Sequence, residues 1–338
     1  MVRRSIAEAL REAIREEMRR DDRVFCIGED IAVPGGWGGA FTVTLGMEEE
    51  FGERMVNTPI SENGFVGVAL GAALMGMRPI ADVQYADFLF CAMDQMANEI
   101  PKMRYMSGGR VRVPLVMRAP VGVTGRGAQH AQSMEVFFLP VQGVKIVCPS
   151  TAYDAVGLLR SAVRCDDPVM IFEHKLLYGS KGARKETGAV DASSEIPDED
   201  YTVPIGSAAV RREGRGVTIL ATLLMVHRSL QAAETLAAEG VDAEVIDLRS
   251  LVPMDWDTIK ASVAKTGRAV IVEESPRRSG IGAEIAATLA DECMECLLAP
   301  VRRVAAPNTP VPFAPPMERF FVPDQERIAR AARELAAW

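Results

Sequence analysis

A single carboxylate, Glu62, stands at the start of the apolar, small-residue stretch "NTPISENGFVGVALGAALMGM". Small and apolar residues dominate this stretch, which predicts a buried helix. The helix dipole stabilises an acid in a first turn by about 0.3–1 kcal/mol, and Ser61 could cap the helix, so a purely structural role is open. Apolar neighbours favour a second interpretation, in which a carboxyl held away from water transfers protons. These neighbours are Ile60, Phe65 and Val66.

Histidines are the second group of residues suited to proton transfer, and the chain has three. His130 lies in "APVGVTGRGAQHAQS", a glycine-rich loop after a predicted strand, where a histidine is well placed to donate or accept a proton. His174 and His227 lie at strand ends, where structural hydrogen bonding and a functional role both remain open. The sequence therefore favours His130 among the three.

No stretch of the sequence fits the consensus of a glycine-rich phosphate-binding motif. The glycines of "ENGFVGVALG" are spaced GxxGxxxG and not as in the dinucleotide fingerprint. Gly280 and Gly282, in "SGIGAEIA", lack the third glycine, so we interpret them as a turn that starts a helix. A GxxxxGK[ST] phosphate loop and a GxSxG nucleophile motif are also missing. The sequence gives little support to a nicotinamide-dependent enzyme or a simple hydrolase.

The charge of the chain argues against several kinds of partner. Its 338 residues include 38 Lys and Arg and 46 Asp and Glu, a net charge of −8, so we expect no binding to nucleic acid or an anionic membrane. The first stretch lacks the apolar core of a secretory signal, and no apolar run reaches the roughly 18 residues of a membrane span. We therefore predict a cytoplasmic protein.

The six cysteines are scattered, which predicts reduced core residues and not a disulfide framework. Cys293 and Cys296 form a CxxC pair within a helical pattern, and no second Cys or His pair lies nearby to complete a metal site. We interpret this pair as packing residues. The other four are Cys26, Cys91, Cys148 and Cys165.

Short β-branched runs alternate with helical patterns, which predicts strand–helix–strand units in a parallel sheet. One such unit runs from "VKIVCPS" into "TAYDAVGLLRSAVR", where Ser150 or Thr151 can cap the helix. A polar segment without periodicity interrupts the alternation and reads as a linker. The predicted fold class is therefore α/β with two domains. These are residues 1–185 and a smaller domain, 205–338, joined by the linker 186–204.

The order of local motifs resembles one known family along nearly the whole chain. The resemblance is carried by "VFCIGEDI", "FGERMVNTPISENGF", "GMRPIADVQYADF", "GAQHAQS", "DPVMIFEHKLLYG", "EVIDLRSLVPMDWDTI" and "GIGAEIAATL". These stretches are similar to the beta subunits of the thiamine-diphosphate-dependent decarboxylating component of 2-oxo acid dehydrogenase complexes. Within that family, "WGG", "CPSTAYDA", "EHKLLYG" and "NTPVPF" most resemble the acetoin dehydrogenase beta subunit.

The resemblance implies a pyrimidine-binding domain followed by a transketolase C-terminal-like domain, and it implies a set of site residues. Glu62 matches the glutamate that contacts the aminopyrimidine nitrogen of thiamine diphosphate and so activates the cofactor. Ile60, Gln84 and Phe88 match positions that line the pyrimidine, the last two in the predicted strand "RPIADVQYADF". His130 matches the histidine that faces the substrate and assists acyl transfer to the lipoyl arm.

The resemblance also implies partners. Thiamine enzymes normally carry a GDG…N motif for magnesium and the diphosphate, and this chain lacks that motif. A separate alpha subunit would therefore hold Mg²⁺ and the diphosphate, in a heterotetramer of two alpha and two beta subunits. The acyl group, from a small 2-oxo acid or acetoin, would pass to a lipoyl acyltransferase core.

The resemblance also implies a monovalent cation such as potassium, because some family members bind one through backbone carbonyls. The candidate carbonyls here are those of Leu115, Ala162, Cys165 and Asp167.

Two further hypotheses remain open at the level of sequence. The chain could be chiefly an assembly module, whose second domain docks the enzyme onto the acyltransferase core. It could also be half of a split transketolase-like enzyme, which would share both domain types; "GAQHAQS" and "HKLLYG" argue against this.

Overall fold

The alternation of strands and helices predicted from the sequence is present in the computed structural model, which describes residues 1–179 and 188–338. The α/β fold class is confirmed. The predicted domain bounds stay predictions, and the boundary at 185/186 lies outside the described residues.

Contacts along the chain divide it into two units. The first unit comprises Met1–Val121 and Phe137–Ile205, and the second comprises Gly122–Val136 and Gly206–Trp338. The loop that carries His130 thus groups with the second unit.

The first unit alternates strands with helices. Its described strands are β1 (Val2–Arg4), β2 (Val24–Glu29), β3 (Met55–Thr58), β4 (Arg78–Asp82), β5 (Val116–Val121), β6 (Lys145–Val147), β7 (Val169–His174) and β8 (Ser194–Ile196). Its described α-helices are α1 (Ile6–Arg20), α2 (Glu48–Phe51), α3 (Glu62–Leu74), α4 (Met103–Met106) and α5 (Ala152–Arg164).

Six strands of the first unit lie side by side in the order β6-β7-β5-β4-β2-β3, and each neighbouring pair is parallel. Strands β2, β5 and β7 are buried along their whole length, as expected for a parallel sheet covered on both faces. The order in the sheet differs from the order in the chain. Residues distant in sequence therefore meet at one edge of the sheet.

Helices α1 and α5 pack against each other, and both begin at sequence signals for helix starts. Ser5 and Glu8 form a capping box at the start of α1. Of the two predicted caps for α5, Thr151 is the one used, because its hydroxyl accepts a hydrogen bond from the N–H of Asp154.

Part of the predicted linker is built into the first unit, which corrects its interpretation as a free connector. Strand β8 pairs antiparallel with β1, and the N–H of Val203 donates to the carbonyl of Gly157 at 3.1 Å. Ile196 and Val203 are buried. A three-residue strand among polar residues is too short to show periodicity. Residues 186 and 187 of the predicted linker lie outside the described residues.

The second unit has a five-stranded sheet in the order β14-β13-β10-β11-β9, in which only β9 runs antiparallel to its neighbour. Its described strands are β9 (Ala209–Arg212), β10 (Val217–Ala221), β11 (Ala243–Asp247), β12 (Ser250–Val252), β13 (Ala269–Pro276) and β14 (Arg302–Ala306). Its described α-helices are α6 (Leu224–Ala238), α7 (Trp256–Thr266), α8 (Ile281–Glu292), α9 (Pro315–Phe321) and α10 (Gln325–Ala336).

Within the ranges that the structure describes, no helix has the length and apolar character needed to cross a membrane. The cytoplasmic location stays a prediction.

Candidate active site

Three neighbouring strands of the first unit bring candidate residues to one edge of the sheet. Strand β2 lies between β3 and β4 and is parallel to both. Glu29 ends β2, Glu62 follows β3, and Gln84 follows β4. The carboxyl ends of parallel strands form the usual ligand-binding edge of such sheets. This edge is a candidate active site.

Glu62 lies in the first turn of α3, as the sequence predicts, and its residue is only 7% exposed. Phe65 and Val66 on the same helix are also buried. Two expectations about its surroundings are wrong. The Ser61 side chain makes no capping hydrogen bond. Ile60 is 83% exposed, because it lies in the connection before α3 and not on the face packed against the sheet.

Glu29 is a second buried acid at this edge, and no pattern in the sequence points to a role for it. Burial, followed by the negative charges of Glu62, Asp30 and Asp82, raises the pKa of Glu29 to about 7. The backbone N–H of Ser61 donates to its carboxylate. Its Oε1 atom is buried without a hydrogen-bond partner among the described residues. A protonatable oxygen is therefore available to a ligand.

Gln84 is held by hydrogen bonds at both ends of its amide. Its Oε1 accepts from the N–H of Ala40 at 2.6 Å, and its Nε2 donates to the carbonyl of Glu29 at 3.3 Å. The backbone of Gly39 passes so close that a β-carbon there would lie 2.6 Å from Nε2. Gln84 thus fixes a glycine-containing loop against the ends of β2 and β4.

Phe88 and Gln84 do not lie on a strand, which corrects the sequence prediction. Strand β4 ends at Asp82, and Phe88 lies in a 3-10 helix, Ala86–Ala92, where it is half-buried. The chain turns because the N–H of Phe88 donates to the carbonyl of Tyr85 at 2.9 Å, so extended pairing does not continue.

A buried ion cluster fixes the strand ends beneath this edge. Arg118, only 2% exposed, donates from Nε and Nη2 to both carboxylate oxygens of Glu173 at 2.8 and 2.6 Å. Its Nη1 donates to Asp82 at 2.9 Å. Arg118, Glu173 and Asp82 belong to β5, β7 and β4. The bidentate Arg118–Glu173 pair and the Arg118–Asp82 bond therefore connect three strands.

A cavity of about 410 Å³ opens at the same edge. Glu29, Asp30 and Gln84 supply its acidic and amide groups, and Trp37 and Tyr85 supply aromatic surface. None of the described residues that line it is Lys or Arg. The cavity suits a neutral or protonatable hydrogen-bonding ring with an apolar face, and it does not suit a phosphate.

His130 lies in a loop of the second unit, where it is half-buried. Two carboxylates of that unit hold the loop by its backbone. The N–H of Val123 donates to Glu274 at 2.6 Å, and the N–H of Gly125 donates to Glu318 at 2.7 Å. The loop is therefore a fixed support for its histidine.

Glu135 is a further buried acid at the end of this loop, 6% exposed, and sequence reasoning did not single it out. Burial, together with the charges of Glu274 and Glu273, raises its pKa to about 8. Glu135 therefore keeps its proton to a higher pH than an ordinary glutamate does.

Comparison with known proteins places the chain in a family. Residues 3–181 match the family described as "Transketolase, pyrimidine binding domain", and residues 206–328 match "Transketolase, C-terminal domain". A Cupriavidus necator protein, "Acetoin:2,6-dichlorophenolindophenol oxidoreductase subunit beta", is 44% identical over 98% of this chain and 96% of its own length. The "2-oxoisovalerate dehydrogenase subunit beta" of Bacillus subtilis is 44% identical over 98% of each chain.

A third relative, the "Pyruvate dehydrogenase E1 component subunit beta" of Bacillus subtilis, is 41% identical over 99% of each chain. The chain belongs to this family of E1 beta subunits of 2-oxo acid and acetoin dehydrogenase complexes. The solved structure titled "Split gene transketolase, inactive beta4 tetramer" superposes with a TM-score of 0.78 over 98% of each chain, at 23% identity. That likeness shows the shared fold alone.

The residues at the cavity fit one half of the family's cofactor, thiamine diphosphate. The unpartnered Oε1 of Glu29 and the buried carboxyl of Glu62 suit the nitrogen atoms of an aminopyrimidine. The same acids repel a diphosphate, and the described lining offers no cation to bind it. Within the described ranges, no group of three His, Cys, Asp or Glu residues is placed to hold a metal ion.

Three of the four carbonyls predicted to bind a monovalent cation already accept a hydrogen bond. Donors are Val169 N–H to Leu115 at 2.9 Å, Cys165 N–H to Ala162 at 3.1 Å, and Arg78 Nη2 to Cys165 at 2.6 Å. A carbonyl oxygen has a second lone pair, so these bonds leave acceptor capacity.

The fourth candidate, Asp167, carries a carboxylate that is bound by Lys145 at 3.0 Å and Arg104 at 2.6 Å. Three cationic side chains, counting Arg78, therefore lie around the candidate carbonyls. The cation site stays a prediction.

Gly282 and His174 make structural hydrogen bonds. The N–H of Gly282, at the start of α8, donates to the carboxylate of Glu273 at 3.2 Å, so a side chain occupies the place of an anion. This confirms the helix-start interpretation. Nδ1 of the buried His174 accepts from the N–H of Leu176 at 3.1 Å, which supports its structural role.

All six cysteines are free, as predicted. The prediction that they lie in the core is wrong for Cys91, which is exposed, while Cys165 and Cys296 are half-buried.

Proposed function

We propose that this chain supplies the aminopyrimidine half of a thiamine-diphosphate site that is completed by an alpha subunit. The alpha subunit would hold Mg²⁺ and the diphosphate, in a heterotetramer of two alpha and two beta subunits. The observation that carries this proposal is the acidic cavity at the ends of β2, β3 and β4. Glu29 and Gln84 line this cavity, Glu62 begins the helix that follows β3 at the same sheet edge, and none of the described lining residues is cationic.

The residues of this chain then have distinct tasks. Bound thiamine diphosphate supplies the electron sink for carbon–carbon cleavage. The Glu62 carboxyl holds a proton at the aminopyrimidine nitrogen, and Glu29, whose pKa lies near 7, accepts or returns a proton beside it. Gln84 fixes the loop that closes the cavity. Phe88 and Ile60 offer apolar surface to the ring.

Substrate and acceptor follow from the family. The substrate is a small 2-oxo acid or acetoin, and the acyl group passes to a lipoyl acyltransferase core, with His130 assisting that transfer. Relatives named for acetoin and for 2-oxoisovalerate are equally identical to this chain, at 44%. Turnover of acetoin, pyruvate and branched 2-oxo acids by the assembled enzyme identifies the substrate.

Helix α3 supports the need for a partner. Its outer face carries small residues and the 59% exposed Val68, and Met75, directly after the helix, is 85% exposed. Gly67 and Gly71 have open space where a β-carbon would lie. Exposed apolar surface of this kind marks an interaction site, and bare glycine allows another helix to approach closely.

The two other hypotheses are compatible with parts of these findings. A split transketolase-like enzyme would share both domain families, but relatives at 41–44% identity over nearly the whole chain favour the dehydrogenase components. Docking of the second unit onto the acyltransferase core remains a prediction. Deleting residues 205–338 and measuring alpha-subunit binding and core binding separately tests it.

The decisive experiment is Glu62→Gln in the enzyme assembled with its alpha subunit. We expect assembly to be unchanged and turnover to fall by about 10²- to 10⁴-fold, the usual contribution of a proton-transfer group. Glu326→Gln, which replaces an exposed first-turn acid on α10, serves as the matched control and keeps full turnover. Unchanged turnover in Glu62→Gln would return this acid to a dipole-stabilised structural role.

A further inference from the structure

A second cavity, formed entirely by the second unit, collects arginine side chains. Its volume is about 490 Å³, and it lies among the turn after β13, strand β14, and helices α9 and α10. Four arginines line it: Arg277, Arg303, Arg327 and Arg330. This concentration of positive charge is notable in a chain whose net charge is −8.

Most of this positive charge has no carboxylate partner among the residues that the structure describes. Arg277 donates from Nη1 to the carbonyl of Arg303 at 2.9 Å. Arg327 donates to the carbonyls of Phe320 and Ala305, each at 3.1 Å. Backbone carbonyls accept hydrogen bonds but carry no net charge. The positive charge of these guanidinium groups is therefore not neutralised.

The remaining two arginines differ from each other. Arg303 pairs with the buried Glu273 at 2.8 Å. Arg330 is exposed and has no hydrogen-bond or salt-bridge partner in the part of the chain that the structure describes. The cavity also includes Glu334, which forms no salt bridge there. Counting these two acids against four arginines leaves an excess of positive charge.

Three of the four arginines are held in position before any ligand arrives. Carbonyl bonds fix Arg277 and Arg327, and the Arg303 side chain is only 14% exposed. A guanidinium fixed in this way presents its remaining N–H groups in a planar fork, which matches the oxygen atoms of a phosphate. Side chains that are already ordered lose little conformational entropy on binding.

An aromatic ring lies at the same cavity. Phe320 lines it and is 76% exposed, so one face of the ring is free to stack on a planar group. A volume of about 490 Å³ lies within the ordinary range for sites that bind small molecules. Uncompensated arginines beside an exposed aromatic ring suit a ligand with both phosphates and a base.

We propose that this cavity binds a nucleotide through its di- or triphosphate, with the base against Phe320. The proposal uses residues that have no part in the proposed cofactor site, so it stands or falls independently of the proposed function.

Calorimetric titration of the purified full-length chain tests the proposal, because the chain alone is not expected to bind a diphosphate at its first cavity. The probes are ADP, inorganic pyrophosphate and adenosine. We expect ADP to bind more tightly than pyrophosphate, adenosine not to bind, and ADP affinity to fall as salt is added. Phe320→Ala should bring ADP down to the affinity of pyrophosphate and leave pyrophosphate binding unchanged.

Variants identify the site. Arg277→Gln and Arg330→Gln should each weaken ADP binding by about tenfold or more, the usual effect of losing a charged hydrogen bond. Arg215→Gln removes an exposed arginine elsewhere in the second unit and should change nothing. Circular dichroism verifies that each variant is folded, and Arg330 is an exposed helix position whose replacement leaves the packing intact.

Three results would each overturn the assignment. The first is absence of ADP binding to the folded chain. The second is equal weakening by Arg215→Gln, which would indicate diffuse attraction. The third is equal affinity for ADP and pyrophosphate in the wild-type chain, which would show that the base does not contribute to binding.

Discussion

Glu62 and Glu29 lie close enough for the charge of Glu62 to raise the pKa of Glu29, and this proximity separates two roles for Glu62. An acid that serves only to complement a helix dipole needs no second acid beside it, since like charges destabilise one another. Two buried acids close enough to shift one another's pKa are a common arrangement where protons are transferred. The structure therefore favours the functional interpretation of Glu62.

The pH dependence of activity should report Glu29. Its pKa is about 7 because of burial and then the charge of Glu62, so Glu29 loses its proton as the pH rises through about 7. We expect kcat/KM of the assembled enzyme to change slope there, and Glu29→Gln to remove that change. Glu53→Gln, at an exposed position, should keep the wild-type profile. Superimposable profiles for Glu29→Gln and the wild type would show that Glu29 does not take part.

Glu29 also shows why some site residues escape sequence reasoning. An acid at the end of a buried strand becomes informative only when its neighbours are known, and β2 lies between β3 and β4, which follow it in the chain. The family resemblance implies five site residues: Ile60, Glu62, Gln84, Phe88 and His130. Their spacing alone identified only an acid at a helix start and a histidine in a glycine loop.

At the scale of elements, the open face of α3 gives a test of assembly. Gly71→Leu should leave the chain folded, because a side chain there meets open space, and it should prevent association with the alpha subunit by blocking close helix contact. Ala237→Leu, at an exposed position of α6, adds the same bulk elsewhere and should assemble normally. Size-exclusion chromatography with light scattering measures both. Normal assembly of Gly71→Leu would place the partner on another surface.

The His130 loop gives a second test at this scale. Glu318→Ala removes the acceptor of the Gly125 N–H, so the loop should open more often and trypsin should cleave after Arg126 about tenfold faster or more. Glu318→Gln retains an acceptor oxygen and should stay near the wild-type rate. Met317→Ala, an exposed position on the same helix, controls for loss of side-chain bulk. Equal cleavage in all four proteins would mean that this bond does not hold the loop.

Elements were more predictable than their junctions. Helix α5 and its Thr151 cap follow from local spacing, because short-range interactions decide them. Strand β8 and the turn after Asp82 did not. Backbone pairing with β1 forms β8, and a backbone hydrogen bond from Phe88 to Tyr85, which most residue types can make, forms the turn. The arginine cavity joins positions from Arg277 to Glu334, and only the folded second unit shows that they are neighbours.

The whole chain combines an acidic cavity at the ends of β2 and β4 with the lack of a GDG…N motif. Its family membership accounts for this incompleteness, since E1 beta subunits are components of larger complexes. The proposed cofactor site is therefore shared between two chains.

Calorimetric titration with thiamine diphosphate and Mg²⁺ tests whether the cofactor site is shared. It is applied to the purified chain and to the same chain co-expressed with its alpha subunit. We expect no saturable binding by the chain alone at concentrations up to about 1 mM, and one cofactor per alpha–beta pair in the assembled enzyme. Tight, stoichiometric binding by the chain alone would contradict the shared site.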